Sequence, residues 1–211
     1  YTVERSPDQY AAAARRVVER GYRGMKFDPF GNGDMELERD QFYKSLDLIE
    51  AVASVAGTRA QMMIEMHGRF APHQAREIAR HIEKYNVAWV EEPCRPGDIP
   101  AMGRMRNHTS LPIATGERLY GAMEFRELWT TGYVDIVQPD ITQCGGILET
   151  KKIASTAETH SVMVAPHNVG GIISTMDALH LSLPLRTAKV LEHFNDFAAP
   201  QGKMAGAGYQ E

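Results

Sequence analysis

The sequence is short of several features that would direct it toward specialised classes. Its 211 residues hold two cysteines, Cys94 and Cys144. That excludes a disulfide framework, and neither thiol has zinc-site spacing or an evident base partner. No apolar run approaches the roughly 20 residues of a membrane-spanning helix, and the first residues do not read as a signal segment. Positive charge is not in excess: 23 Lys and Arg stand against 27 Asp and Glu, a formal net charge of -4. There is therefore no basic footprint for nucleic acid or an anionic membrane surface. No GxGxxG follows a strand-like run, which removes the dinucleotide-binding fingerprint. Hydrophobic residues are plentiful at 43%, beside 24% charged, and that excludes a mainly disordered chain. The expectation is an ordinary globular protein in a cytoplasmic setting.

Strand-like and helix-like segments alternate along the chain. Ser6, Pro7 and Gln9 fit the N-cap, N1 and N3 of a capping box. Tyr10, Ala13, Ala14, Val17 and Val18 then repeat at the spacing of one helical face, and Gly21 is the stop signal. Gly24–Asp28 is too short for a helix and reads as a strand. Further helices are expected over roughly Glu38–Val55, His73–Tyr85, Met123–Thr130, Gly146–Glu158 and Ile172–Leu183. Strands are expected at Met62–Met66, Ala88–Val90, Ile113–Thr115, Val134–Val137, Val162–Ala165 and Lys189–Leu191. This order implies parallel strands joined by right-handed crossovers.

Polar residues recur at the strand ends. Glu65, Glu91, Glu117, Asp140, His167 and Glu192 follow one another at spacings of 26, 26, 23, 27 and 25 residues. One strand–helix unit per step places all six on one rim of a parallel sheet. In a (β/α)₈ barrel the C-terminal rim is where chemistry is built. The fold class expected is therefore α/β, a (β/α)₈ TIM-type barrel, read as one domain over residues 1–211 with a tail at 198–211. Only seven strands are found, and a typical barrel takes about 250 residues. The first strand is expected before Tyr1 or within Tyr1–Arg5, and the closing helix is expected to be missing or replaced by the Gly-rich 202–211.

The rim residues suggest chemistry. Strand-end acids often cap the next helix or form salt bridges, but capping does not require three in register. Glu65, Glu91 and Glu117 would repel one another unless a cation sat among them, and all-oxygen ligation favours Mg²⁺ or Mn²⁺ over zinc. Asp140 beside His167 suits a general base, the carboxylate orienting the ring. Strand periodicity puts His67 on the side of Glu65, where it could protonate a leaving hydroxyl. Lys26 could act as an acid or as a partner for a substrate carboxylate, with an ion pair to Asp28 as the structural alternative. Arg69 and Arg118 are further candidate clamps for an acidic substrate. Glu92 is read as structural, and the many methionines as packing.

As a set, Met25-Lys26-Phe27-Asp28-Pro29-Phe30-Gly31, Glu65-Met66-His67-Gly68-Arg69-Phe70, Val90-Glu91-Glu92-Pro93, Ala114-Thr115-Gly116-Glu117-Arg118-Leu119, Gln138-Pro139-Asp140 with Gly145-Gly146, and Ala165-Pro166-His167 resemble the barrel domain of the enolase superfamily. The likeness is to the mandelate racemase and muconate lactonizing enzyme branch and its acid-sugar dehydratases and cycloisomerases. It runs from about residue 7 to residue 196. It implies a Mg²⁺ site at Glu65, Glu91 and Glu117 and an Asp140–His167 base that takes the proton next to a substrate carboxylate, the metal stabilising the enediolate. It also implies acid help from His67 and a Glu192 contact to the substrate carboxylate or its enediolate; a homo-oligomer is the general expectation from the prevalence of symmetric assembly. The N-terminal α+β capping domain, which the family uses to close over the rim, is expected to be missing or to lie outside the chain.

Two departures stand out. The first ligand, usually Asp, is Glu65, and the family's Lys-x-Lys motif reads Lys26-Phe27-Asp28. Losing the second lysine favours one-base chemistry from His167. The expected function is a Mg²⁺-dependent carbon–oxygen lyase or cycloisomerase in carbohydrate acid catabolism. The alternatives are a racemase or epimerase of the same superfamily and a non-catalytic partial barrel. A sugar isomerase with histidine metal ligands is disfavoured by the all-Glu triplet.

Overall fold

The first helix forms as its capping signals require. Ser6 is extended and its hydroxyl accepts from the Gln9 N–H at 3.4 Å, Pro7 opens α1 (Pro7–Glu19), and the chain leaves through Gly21 at φ 86°. This helix packs on α2 (Arg39–Ala56). Within α2, Phe42, Ser45, Leu48, Ile49, Val52 and Val55 are buried at helical spacing. A computed structural model describes residues 5–194. The chain divides into two compact units, Tyr1–Ala114 and Thr115–Glu211.

In the first unit the strands β1 (Gly24–Phe27), β2 (Gln61–Glu65) and β3 (Val87–Glu91) pair in parallel, and β3 pairs with the start of β4 (Ile113–Thr115). Helix α3 (Pro72–Ile82) runs into a 3-10 turn, Glu83–Tyr85, before β3. Four of the five residues of β2 are buried, the pattern of a parallel strand covered on both faces. Lys26 is aligned with Met63, and Glu65 with Glu91. Since side chains alternate along a strand, Lys26, Glu65, Trp89 and Glu91 share one face.

In the second unit β5 (Ile136–Val137) and β6 (Met163–Val164) pair in parallel, and the Gln138 N–H bonds the Thr115 carbonyl. Helices α5 (Gly121–Glu124), α6 (Arg126–Thr131), α7 (Gly146–Thr159) and α8 (Ile172–Ser182) follow the strands. Gly116 sits at φ 130°, where an added Cβ would lie 2.8 Å from the Phe125 ring and 3.2 Å from the Gln138 backbone nitrogen. Only glycine fits there.

Most expected elements are present, with four differences. A helix absent from the sequence reading, α4 (Ile99–Arg106), is capped by Asp98, whose side chain accepts from the Ala101 N–H at 2.9 Å. Its Pro-Gly approach and Pro100 disguise it as a loop. The expected helix at Met123–Thr130 breaks at Phe125 into α5 and α6, as that ring is fully buried against the Gly116 turn. The strands expected at Val134–Val137 and Val162–Ala165 shorten to two residues each. The strand at Lys189–Leu191 reduces to a single parallel bridge, Val164 to Ala188. The expected tail and most of Tyr1–Arg5 lie outside the described residues. Among the described residues no helix is long and apolar enough to cross a membrane.

Two substitutions separate core from cap. Leu48 has no solvent exposure, so Leu48→Ala should lower stability by about 2–5 kcal/mol. Ser6→Ala removes only the cap and should cost about 0.5–1 kcal/mol. Urea unfolding midpoints measure both, and equal shifts would contradict the burial described.

Candidate functional site

In the first unit the site is built on the ends of β1, β2 and β3. Glu65 and Glu91 are the last residues of their strands, with 3% and 0% of their surface exposed. The Lys26 ammonium lies 2.5 Å from Glu91 Oε1 and 3.5 Å from Glu65 Oε2. Trp89, two residues before Glu91 and on its face, donates its indole N–H to Glu91 Oε2 at 3.0 Å. The His67 backbone N–H bonds Glu65 Oε1 at 2.6 Å. Each carboxylate is thus held by a neighbouring donor as well as by Lys26. Burying two adjacent carboxylates is tolerable only with such compensation.

Past the strands the backbone turns sharply. His67 has φ 52° and Glu92 has φ 41°, both left-handed and neither glycine. The parallel bonding continues through these turns, Gly68 N–H to the Glu92 carbonyl and Glu92 N–H to the Ala114 carbonyl. The strand alternation that placed His67 beside Glu65 therefore ends at Glu65. The His67 ring instead meets Asp28, Nδ1 to Oδ2 at 2.7 Å, and its side chain is 44% exposed. Asp28 also accepts from Arg69 Nη2 at 2.6 Å. Lys26 is paired with the two glutamates, and Asp28 with His67 and Arg69. Arg69 further donates to the Gly31 carbonyl at 2.7 Å and the Met66 carbonyl at 3.3 Å. Glu92 is fully buried.

In the second unit His167 and Asp140 meet as expected. His167 Nδ1 lies 2.7 Å from Asp140 Oδ2, and Nε2 lies 3.3 Å from Glu117 Oε2. Asp140 Oδ1 also accepts from the Thr142 N–H at 2.7 Å and the Thr142 hydroxyl at 2.6 Å. Burial alone would raise the Asp140 carboxyl, but hydrogen bonds from His167 and Thr142 outweigh it and hold it below the ordinary aspartate range. Arg118, 45% exposed, donates to Glu117 Oε1 at 3.2 Å. Glu192 Oε2 accepts from the Asn168 N–H at 3.2 Å, and Asn168 Nδ2 donates to the Glu192 carbonyl. Burial pushes the Cys94 thiol up to about 11 and raises Cys144 as well, which keeps both unreactive.

The sequence reading missed Trp89, Thr142 and Asn168. Period-2 alternation from Glu91 could have found Trp89. The Asp-x-Thr spacing at Asp140 is a turn signal that could have found Thr142. Asn168 is recognisable only once the bridge at Ala188 brings Glu192 to it.

The family model described as Enolase C-terminal domain-like matches residues 9–207. A D-gluconate/D-galactonate dehydratase of Picrophilus torridus is 33% identical over 190 residues, 90% of this chain and 49% of that protein. A D-gluconate dehydratase of Thermoproteus tenax is 37% identical over 193 residues, 92% of this chain and 39% of that protein. Among solved structures, a mandelate racemase/muconate lactonizing enzyme from Jannaschia sp. CCS1 is similar with TM-score 0.85 and 35% identity, covering 90% of this chain and 50% of that one. An enolase superfamily member from Salmonella Typhimurium gives TM-score 0.86 and 30% identity, covering 91% and 51%. The chain spans about half the length, or less, of these relatives.

The depressed Asp140 carboxyl has a pH consequence with a definite sign. Its stabilising contribution is present above the ordinary aspartate value of about 3.9 and fades as pH falls through its lower folded value. Carboxyl ¹³C NMR of Asp140 should therefore show a midpoint below 3.9. Asp140→Asn should be less stable than wild type at pH 7, the gap narrowing in acid. A midpoint at or above 3.9 would count against the hydrogen-bond account.

Proposed function

Because the chain belongs to the Enolase C-terminal domain-like family, we propose that it carries the chemical part of a Mg²⁺-dependent lyase acting on a sugar-derived acid. The lyase removes the proton next to the carboxylate and then eliminates the oxygen on the neighbouring carbon. That oxygen departs as water in a dehydratase, or opens a ring in a cycloisomerase. The observation that carries the reading is the buried Asp140–His167 pair, with its Nδ1 bonded and its Nε2 turned to Glu117. The dehydratase names of the relatives support the choice of an aldonic acid.

Glu65, Glu91 and Glu117 are the proposed ligands of the divalent cation. All three are buried carboxylates. Their donor set is all oxygen, which fits Mg²⁺, with Mn²⁺ as the second choice. When bound, the cation would supply positive charge to a substrate carboxylate as its neighbouring proton leaves.

The chain's own residues divide the remaining work. His167 Nε2 takes the proton from carbon, and Asp140 keeps the ring oriented and balances the charge that forms. Lys26 already carries its ammonium among the glutamates, so it adds charge for the substrate carboxylate. Glu192, held by Asn168, hydrogen-bonds that carboxylate. Arg118 favours an acidic ligand, whereas Arg69, expected as a second clamp, is committed to Asp28 and to the Gly31 and Met66 carbonyls and serves the site through Asp28. His67 gives a proton to the departing oxygen as the carbon–oxygen bond breaks and the carbon–carbon double bond forms. A cytoplasmic homo-oligomer belongs to the same reading. A racemase or epimerase is second, since Asp28 occupies the place of the lysine that two-base chemistry would use.

The test is a panel of mono- and diacid sugars with Mg²⁺ in deuterated water, followed by NMR. Water loss or ring opening should appear, and should fall at least about 100-fold in His167→Asn. Deuterium exchange without elimination would move the reading to the racemase class. Silence across the panel would leave the non-catalytic barrel.

A further inference from the structure

We propose that Asp28 is a positioning residue for His67, and that Arg69 holds Asp28 in place, so that a second Asp–His pair serves the leaving oxygen. The inference rests on the lyase reading above and deepens it.

Both Asp28 oxygens are committed. Oδ1 accepts from the Phe30 N–H at 2.8 Å, and Oδ2 accepts from Arg69 Nη2 at 2.6 Å and faces His67 Nδ1 at 2.7 Å. The first contact closes a local turn onto Pro29-Phe30, which fixes the carboxylate plane relative to the end of β1. Arg69 is fixed in turn. It spans the carbonyls of Gly31 and Met66 and lies over the Phe70 ring at 5.5 Å. The guanidinium therefore joins the loop after β1 to the turn after β2, with the Asp28 carboxylate between them. On the other side, the His67 backbone is held at φ 52° by its N–H bond to Glu65. Ring and carboxylate approach each other from two separately anchored backbones.

A simple Asp28–Arg69 salt bridge would not require the imidazole, and a non-glycine residue at φ 52° is a strained way to display one. The strain is accounted for if the ring must be presented in one orientation. With a carboxylate at Nδ1 that nitrogen keeps its proton throughout, so the imidazolium gives up the proton on Nε2 to the departing oxygen and is left as the neutral Nδ1–H ring. The side-chain exposures agree, 44% for His67 against 22% for Asp28, so the imidazole is open where its partner is covered. The pair repeats the Nδ1-to-Oδ2 geometry of His167 and Asp140, at the same 2.7 Å. The difference is the third partner. The second oxygen of Asp140 is held by neutral Thr142, whereas Asp28 Oδ2 is shared with a cation. A shared cation weakens the pull of the carboxylate on the ring proton, so Asp28 orients the ring more than it attracts its proton.

Two measurements on the whole chain decide the matter. Long-range ¹H–¹⁵N spectra, taken where the ring is neutral and assigned with His67→Asn, should show His67 protonated on Nδ1. In Asp28→Ala the proton should move to Nε2. Circular dichroism checks folding, and Asp28→Asn, which keeps an acceptor for the Phe30 N–H, is the fallback with the same expected shift. In turnover of a dehydrated acid sugar, Asp28→Ala should lower kcat on the order of 10- to 100-fold with KM within about threefold. It should add nothing further in the His67→Asn background. An Nε2 proton in wild type, an unchanged tautomer in both Asp28 variants, or additive losses would overturn the proposal. If no acid sugar turns over, the lyase reading falls while the tautomer still decides the role of Asp28.

Discussion

Two carboxylates facing each other in strand register, away from water, set the terms for everything around them. Glu65 and Glu91 are aligned across β2 and β3 and almost wholly buried. Like charges in that position destabilise a fold unless cations and donors are fixed beside them. The first unit provides these through its strand order: β1 places Lys26 on the shared face, β3 places Trp89 there, and the turn after β2 aims an N–H at Glu65. The left-handed turn at His67 serves both sides of the site, aiming its N–H at Glu65 and its ring at Asp28. Holding a non-glycine residue there costs on the order of 1–3 kcal/mol, tolerated where the surroundings over-determine the conformation.

The second unit handles charge differently. His167 lies between carboxylates, with Asp140 on one ring nitrogen and Glu117 near the other. Thr142 and Asn168 are neutral residues that fix the acids next to them. Among the described residues each unit therefore presents an aspartate–histidine pair. In the first the aspartate is shared with an arginine, and in the second with a threonine. The lyase reading uses that asymmetry, giving the second pair the carbon-bound proton and the first the departing oxygen.

How far the sequence could be read depends on what each feature rests upon. The strand ends at Glu65 and Glu91 were legible because buried parallel strands are short apolar runs and the acids close them. The Asp140–His167 pair was legible because two successive strand–turn units each end on a proline followed by a polar residue. Helix α4 was not, since Pro100 and the preceding Pro96-Gly97 imitate a loop while the capping contact of Asp98 emerges only in three dimensions. The turn that carries His67 and its partner Asp28 were not legible, because the strand ends at Glu65 and residue type does not announce a positive φ in histidine. The partners of Lys26 and Asp28 were exchanged. Spacing along one strand suggested a pair, whereas the neighbouring strands supply nearer opposite charges.

Glu65, Glu91 and Glu117 are the proposed ligand set of one divalent cation. Calorimetric titration of the metal-free protein with Mg²⁺ and with Mn²⁺ tests it most directly, alongside Glu65→Gln, Glu91→Gln and Glu117→Gln. The account predicts one ion per chain and a marked loss of affinity in each variant, with zinc offering no advantage in coordination. Absence of binding in wild type, or binding that survives all three substitutions, would contradict it.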